Sequence, residues 1–157
     1  NIGLTKFGDA RLSNHRNRDS FITEHFSDNL SDDQNSVVTA GGIDVQVKRL
    51  DEFDLSQIDL MKVDVEGYEK FVFAGGKETL TKTRCIFFES WADHFDKFDY
   101  RTSDLLHLLR QWHFDVYRLE SETIRPIPRD YSSTQRENLI AIHGVAEFCE
   151  RTGYRCA

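Results

Sequence analysis

Apolar positions along this chain fall into runs whose spacing switches between two and three-to-four, and the switches mark out its elements. Val45-Gln46-Val47-Lys48-Arg49-Leu50 alternates like a half-buried strand, and Asp51-Glu52-Phe53 reads as a short helical turn behind it. Ile58-Asp59-Leu60-Met61-Lys62-Val63-Asp64 is predicted to be a buried strand that ends on acidic residues. In the helix that follows, Tyr68, Phe71, Val72 and Gly75 share one face; it breaks at Gly75-Gly76 and resumes for a turn ending near Leu80. Cys85-Ile86-Phe87-Phe88 runs without a polar residue up to Glu89, the form of a parallel strand covered on both faces. Leu105, Leu106, Leu108, Leu109 and Trp112 recur at helical spacing behind Thr102 or Ser103 as a cap, and this stripe belongs to the core. His107 and His113, on that helix and at its end, read as structural. Phe114 to Leu119 is a further strand, and after a polar loop carrying Pro126 and Pro128 a last strand runs from Leu139 to His143.

Strand, helix, strand, helix, strand is the order that builds right-handed parallel crossovers. The last strand, reached without a helix, should pair antiparallel with its predecessor. The predicted class is therefore α/β, with a mostly parallel sheet and an antiparallel final strand. With 157 residues, 39% of them hydrophobic, the chain can bury one substantial core, so residues 1–157 read as a single domain. Short strand-like pieces stand at Ile2-Gly3-Leu4 and Ala10-Arg11-Leu12. Residues 13–42 are rich in Asn, Asp, Ser and charge, with Phe21, Ile22 and Phe26 as their few apolar anchors, and read as a long polar surface loop.

A formal charge of -7 argues against binding to phosphate backbones, which Lys and Arg must drive, and favours a small, neutral or weakly charged partner over nucleic acid. No apolar run approaches the roughly 18 to 20 residues that cross a bilayer, so no membrane association is expected. Cys85, Cys149 and Cys156 match neither a zinc site nor a disulfide framework. They read as reduced thiols in a cytoplasmic setting, with a Cys149–Cys156 pair as the alternative.

Chemistry concentrates at the strand tips, because ligands of open α/β sheets gather beyond the carboxyl ends of the strands. Asp64 and Glu89 end neighbouring strands, about 4.8 Å apart by sheet geometry. One of two such carboxylates can serve as a base, or both can hold a divalent cation. No third ligand is evident from spacing, although Asp93 and His94 follow Glu89 closely, and no metal site is assigned. Glu66 is a catalytic candidate or a cap for the next helix. His94 and Trp91 are candidate substrate contacts, Trp91 either packing over the crevice or stacking on a ligand.

The stretch from Ile58 to Leu80, with Asp64-Val65-Glu66-Gly67 at its centre, closely resembles the signature of the FkbM-type methyltransferases. Val45 to Phe53, Ile86 to Glu89 and Glu137 to Ala141 resemble weaker features of that family in the same order, and Asn1 to Leu12 resembles its segment after the third strand. The resemblance implies a Rossmann-like sheet, S-adenosylmethionine as cofactor, and methyl transfer to an oxygen of a small molecule or sugar. In that scheme Asp64 orients or activates the acceptor and Glu89 supports it. The family's glycine-rich loop and ribose-binding acid have no counterpart here: no Gly-x-Gly occurs, and Thr5-Lys6 stands where Gly-Asp is common. A chain that begins at Asn1 and lacks these parts is expected to be a piece of a longer protein, without the first strands of the sheet. Held alone, its residues are expected to bind cofactor poorly or not at all. An open strand edge would then favour homo-oligomers. The rival from another class is a non-catalytic binding or assembly module that has lost the cofactor loop. A nicotinamide dehydrogenase piece is disfavoured, since it needs the same glycine fingerprint.

Overall fold

The computed structural model describes residues 22–26, 37–38 and 43–157, with side chains from Lys48 onward. Strands β1 (Ile22–Phe26), β2 (Val37–Val38) and β3 (Ile43–Val47) form an antiparallel sheet in the order β2-β1-β3. Within the stretch read as a surface loop, Ile22–Phe26 and Val37–Val38 are thus strands. Ile22 stands opposite Val47 and Phe26 opposite Ile43. The strand-like pieces at 2–4 and 10–12 lie outside the described residues.

A six-stranded mixed sheet carries the rest: β4 (Ile58–Val63), β5 (Thr83–Ser90), β6 (Asp115–Glu120), β7 (Thr123–Pro126), β8 (Glu137–Ile142) and β9 (Arg155–Cys156). Their order is β4-β5-β8-β6-β7-β9. The sheet starts parallel, with β4 beside β5, and β8 then inserts antiparallel to both β5 and β6. The expected antiparallel last strand is present. The sequence reading left out β7 and β9, one ending in Pro126 and the other two residues long, which pair parallel to each other.

Helices α1 (Glu69–Ala74), α2 (Lys77–Thr81), α3 (Ala92–Asp96) and α4 (Thr102–Gln111) share one apolar cluster with the sheet, through Val72, Phe73, Leu80, Phe95, Leu105, Leu106 and Leu109. Helix α5 (Val145–Thr152) brings Phe148 and Cys149 to a second cluster built on Cys85, Tyr117, Ile140 and Ile142. Alternate residues of β5 serve the two clusters, Ile86 and Phe88 the first and Cys85 and Phe87 the second, as the unbroken apolar run predicts.

Two local devices differ from the expected ones. Thr102 is the first helical residue of α4 rather than its cap, and its hydroxyl accepts the Ser133 N–H at 3.3 Å. The Asp104 carboxylate instead accepts the Arg101 N–H, closing the first turn from inside. At the Gly75-Gly76 break, the Asp51 carboxylate reaches across from the turn Leu50–Phe53 and accepts the N–H groups of Glu78 and Thr79 at 3.2 and 2.8 Å. It is a cap borrowed from a distant segment, satisfying donors that Gly76 cannot.

Strand β4 is buried on one face only: Met61 and Val63 are inside, whereas Leu60 is 61% exposed. No described strand pairs with its outer edge. Leu60 lines an apolar groove of roughly 380 Å³ shared with Phe87 of β5 and Phe148 of α5. All three cysteines are free, and burial pushes the Cys85 thiol up to about 12, so it is inert packing. Among the described residues, no helix is long and apolar enough to cross a membrane.

Candidate functional site

The parallel pair β4–β5 places its two carboxyl ends together. Val63 and Phe88 are the last partners in register, so Asp64 and Glu89 follow each at the next position. Beyond Asp64 the chain turns sharply: Glu66 has φ 55° and Gly67 φ 100°, both in the left-handed region. Gly67 also lies against α3, where a Cβ would stand 2.6 Å from the His94 carbonyl oxygen. Its own carbonyl accepts the Tyr100 hydroxyl at 2.7 Å. Phe71, Phe98 and Tyr68 close around this turn in tilted and edge-to-face contacts. The turn and α3 are thereby locked together, which brings Glu66 and His94 face to face.

The result is a buried group of three. Glu66, Glu89 and His94 are 4%, 5% and 8% exposed. His94 Nδ1 stands 3.3 Å from Glu66 Oε2 and 3.8 Å from Glu89 Oε2. On the opposite side Arg136, which precedes β8, gives its Nε to Glu89 Oε1 at 2.5 Å and places a terminal nitrogen 3.7 Å from Glu66 Oε1. Trp91 covers the imidazole with ring centroids 4.3 Å apart. Burial, with Lys97 and Arg136 nearby, pushes the His94 imidazole down to about 4, so it is neutral at pH 7.

Asp64 is set beside this group rather than within it. Its Oδ2 takes the Lys62 ammonium at 2.7 Å, and its side chain is 18% exposed. Two carboxylate oxygens on the neighbouring tips, Asp64 Oδ1 and Glu89 Oε2, are buried without a hydrogen-bond donor. Such orphaned acceptors are costly, and at a strand tip they suit a ligand that brings its own proton donors. Of the residues singled out from sequence, Glu66, Glu89, His94 and Trp91 are thus brought together. Arg136 was missed. Its only signal was its place before the closing strand, whose insertion beside β5 delivers it to the tip.

Glu69 was missed as well. It is 1% exposed, its Oε1 accepts the Val65 N–H at 3.1 Å, and its Oε2 finds no hydrogen-bond partner. Burial, reinforced by the Glu89 and Asp64 carboxylates, pushes it up to about 8. The folded chain therefore holds a proton there that the unfolded chain releases near pH 4.5. Below both values nothing is gained or lost; as pH climbs from about 4.5 towards 8 the unfolded state is progressively favoured, and above 8 the loss is complete. Glu69→Gln should be neutral in stability in acid and stabilising by about 4 kcal/mol at pH 8. Urea midpoints of the two proteins measured across this range test it, and parallel curves would contradict it.

The methyltransferase FkbM domain family matches residues 4–116. The chain belongs to this family. A 53-residue stretch is 53% identical to the 2-O-methyltransferase NoeI of Sinorhizobium fredii, covering 31% of this FkbM-domain chain and 22% of that relative. The match therefore spans about a fifth of the relative's length. No solved structure matches. Members of the FkbM family generally use S-adenosylmethionine. The described residues do not by themselves fit that group: the sequence has no Gly-x-Gly, and the outer edge of β4, with Leu60 exposed beside it, has no described strand to carry such a loop.

Proposed function

We propose that this chain provides the acceptor side of a Rossmann-like, S-adenosylmethionine-dependent O-methyltransferase acting on a hydroxyl of a small molecule or sugar. The observation that carries it is the pair of orphaned, buried carboxylate oxygens, Asp64 Oδ1 and Glu89 Oε2, on adjacent strand tips. A hydroxyl entering there satisfies one of them. Glu89, held by Arg136 through its other oxygen, receives the hydroxyl proton, and Asp64 orients the oxygen. Neutral His94 under Trp91 fixes the second carboxylate, Glu66, and closes the floor of the site. The relative named a 2-O-methyltransferase supports an oxygen as the acceptor atom.

A second reading, a binding or assembly module without catalysis, is favoured by the lack of a nucleoside cradle among the described residues. Calorimetric titration of the chain with S-adenosylmethionine separates the two. Heat that saturates is expected if the chain is an enzyme in its own right; no heat at millimolar ligand leaves the enzyme reading true only of a longer protein that carries this domain.

A further inference from the structure

We propose that Glu66, Glu89 and His94 form a site for a divalent first-row transition ion. One ligand atom from each residue lies within 4.8 Å of the others, and all three residues are buried. Arg136 donates to Glu89 Oε1 and stands 3.7 Å from Glu66 Oε1, while the Oε2 atoms of Glu66 and Glu89 face His94 Nδ1 at 3.3 and 3.8 Å. Donors about 2.1 Å from one ion stand roughly 3 to 3.5 Å apart in tetrahedral or cis-octahedral geometry, so small side-chain adjustments close the set. A second observation points to a ligand here: Glu89 Oε2 is buried without a hydrogen-bond donor, on a side chain that is 6% exposed. Two buried carboxylates facing one half-exposed guanidinium leave a net negative charge in a dry site, and a cation offsets it.

The donor set chooses the ion class. Magnesium and calcium prefer oxygen alone, whereas one imidazole with two carboxylates suits manganese, iron or zinc in the divalent state, with positions open for water or a ligand oxygen. Arg136 and Trp91 act as positioning residues that hold the carboxylates and the ring. With the ion bound, Glu89 would be its ligand instead of the base, and the ion would lower the pKa of the hydroxyl that Asp64 orients; that use rests on the proposed methyl transfer, but the ion's binding does not. The two can therefore fail separately.

The test is a calorimetric titration of the tag-free chain with Mn2+, with pulsed electron spin resonance of the loaded protein. One site is expected, with an imidazole nitrogen coupling to the manganese, and with affinity reduced about tenfold or more in Glu89→Gln and in His94→Gln. The nitrogen coupling is read on the unaltered chain, so the result survives a variant that does not fold. Absence of binding by Mn2+ and Zn2+ at millimolar concentration would overturn the proposal, leaving the neutral His94 as the partner of the carboxylates. Binding without nitrogen coupling, or undiminished in both folded variants, would overturn it equally, as the mark of surface carboxylates only.

Discussion

Gly67→Val is expected to destabilise the chain by about 4 kcal/mol and to lower its melting temperature by roughly 10 °C. Two independent costs add at this position. A branched side chain at φ 100° sits in backbone space that L-residues avoid, worth about 1 to 3 kcal/mol. The added Cβ also meets the His94 carbonyl oxygen at 2.6 Å and its carbon at 3.0 Å, backbone atoms that move only if α3 moves. Because α3 carries His94 and Trp91, the substitution should loosen the site together with the fold. Thermal unfolding followed by circular dichroism checks it, and an unchanged midpoint would show that the turn tolerates a side chain.

The same turn shows how much of the molecule is legible in its sequence. A strand tip running into Asp-Val-Glu-Gly and then a helical pattern announces a sharp reversal, since glycine at that point permits a conformation few other residues adopt. The stripe of Leu105, Leu106 and Leu109 and the apolar run of β5 were equally readable, because each repeats a period that only one burial pattern satisfies. Leu60 was read as buried with its neighbours, yet it is 61% exposed on a strand whose outer edge has no described partner; a sequence carries the apolar run but not the identity of the strand's neighbours. The polar stretch 13–42 concealed β1 in the same way, since its strand is set by pairing with β3 rather than by any local period.

Of the site, the carboxylates were legible and their partners were not. Asp64 and Glu89 end apolar runs, a local signal. His94 reaches Glu66 only because α3 docks on Gly67, and Arg136 reaches both carboxylates only because β8 inserts between β5 and β6 rather than adding at an edge. Glu69 looked like an ordinary first-turn acid of a helix, yet Tyr100, thirty-one residues further on, docks at the same turn and Glu69 is 1% exposed. Long-range arrivals of this kind leave no periodic trace.

Replacing Glu89 by Gln is the other large expected effect. The amide keeps the side chain's size, and its oxygen can still accept from Arg136, so stability should change by less than about 1 kcal/mol. What is lost is the charged acceptor for the hydroxyl proton, a general-base role worth on the order of a hundredfold or more in rate. Asp64→Ala should likewise remove turnover with little loss of stability, because the Lys62 pair it gives up is partly exposed.

Transfer of a labelled methyl group from S-adenosylmethionine to a panel of sugar and small hydroxylated acceptors, by the unaltered chain and by Glu89→Gln side by side, tests the role of the strand-tip carboxylates most directly. Whatever label the unaltered chain passes to acceptor oxygen should fall by about a hundredfold in the variant, with both proteins melting alike. Equal transfer by the two would contradict that role.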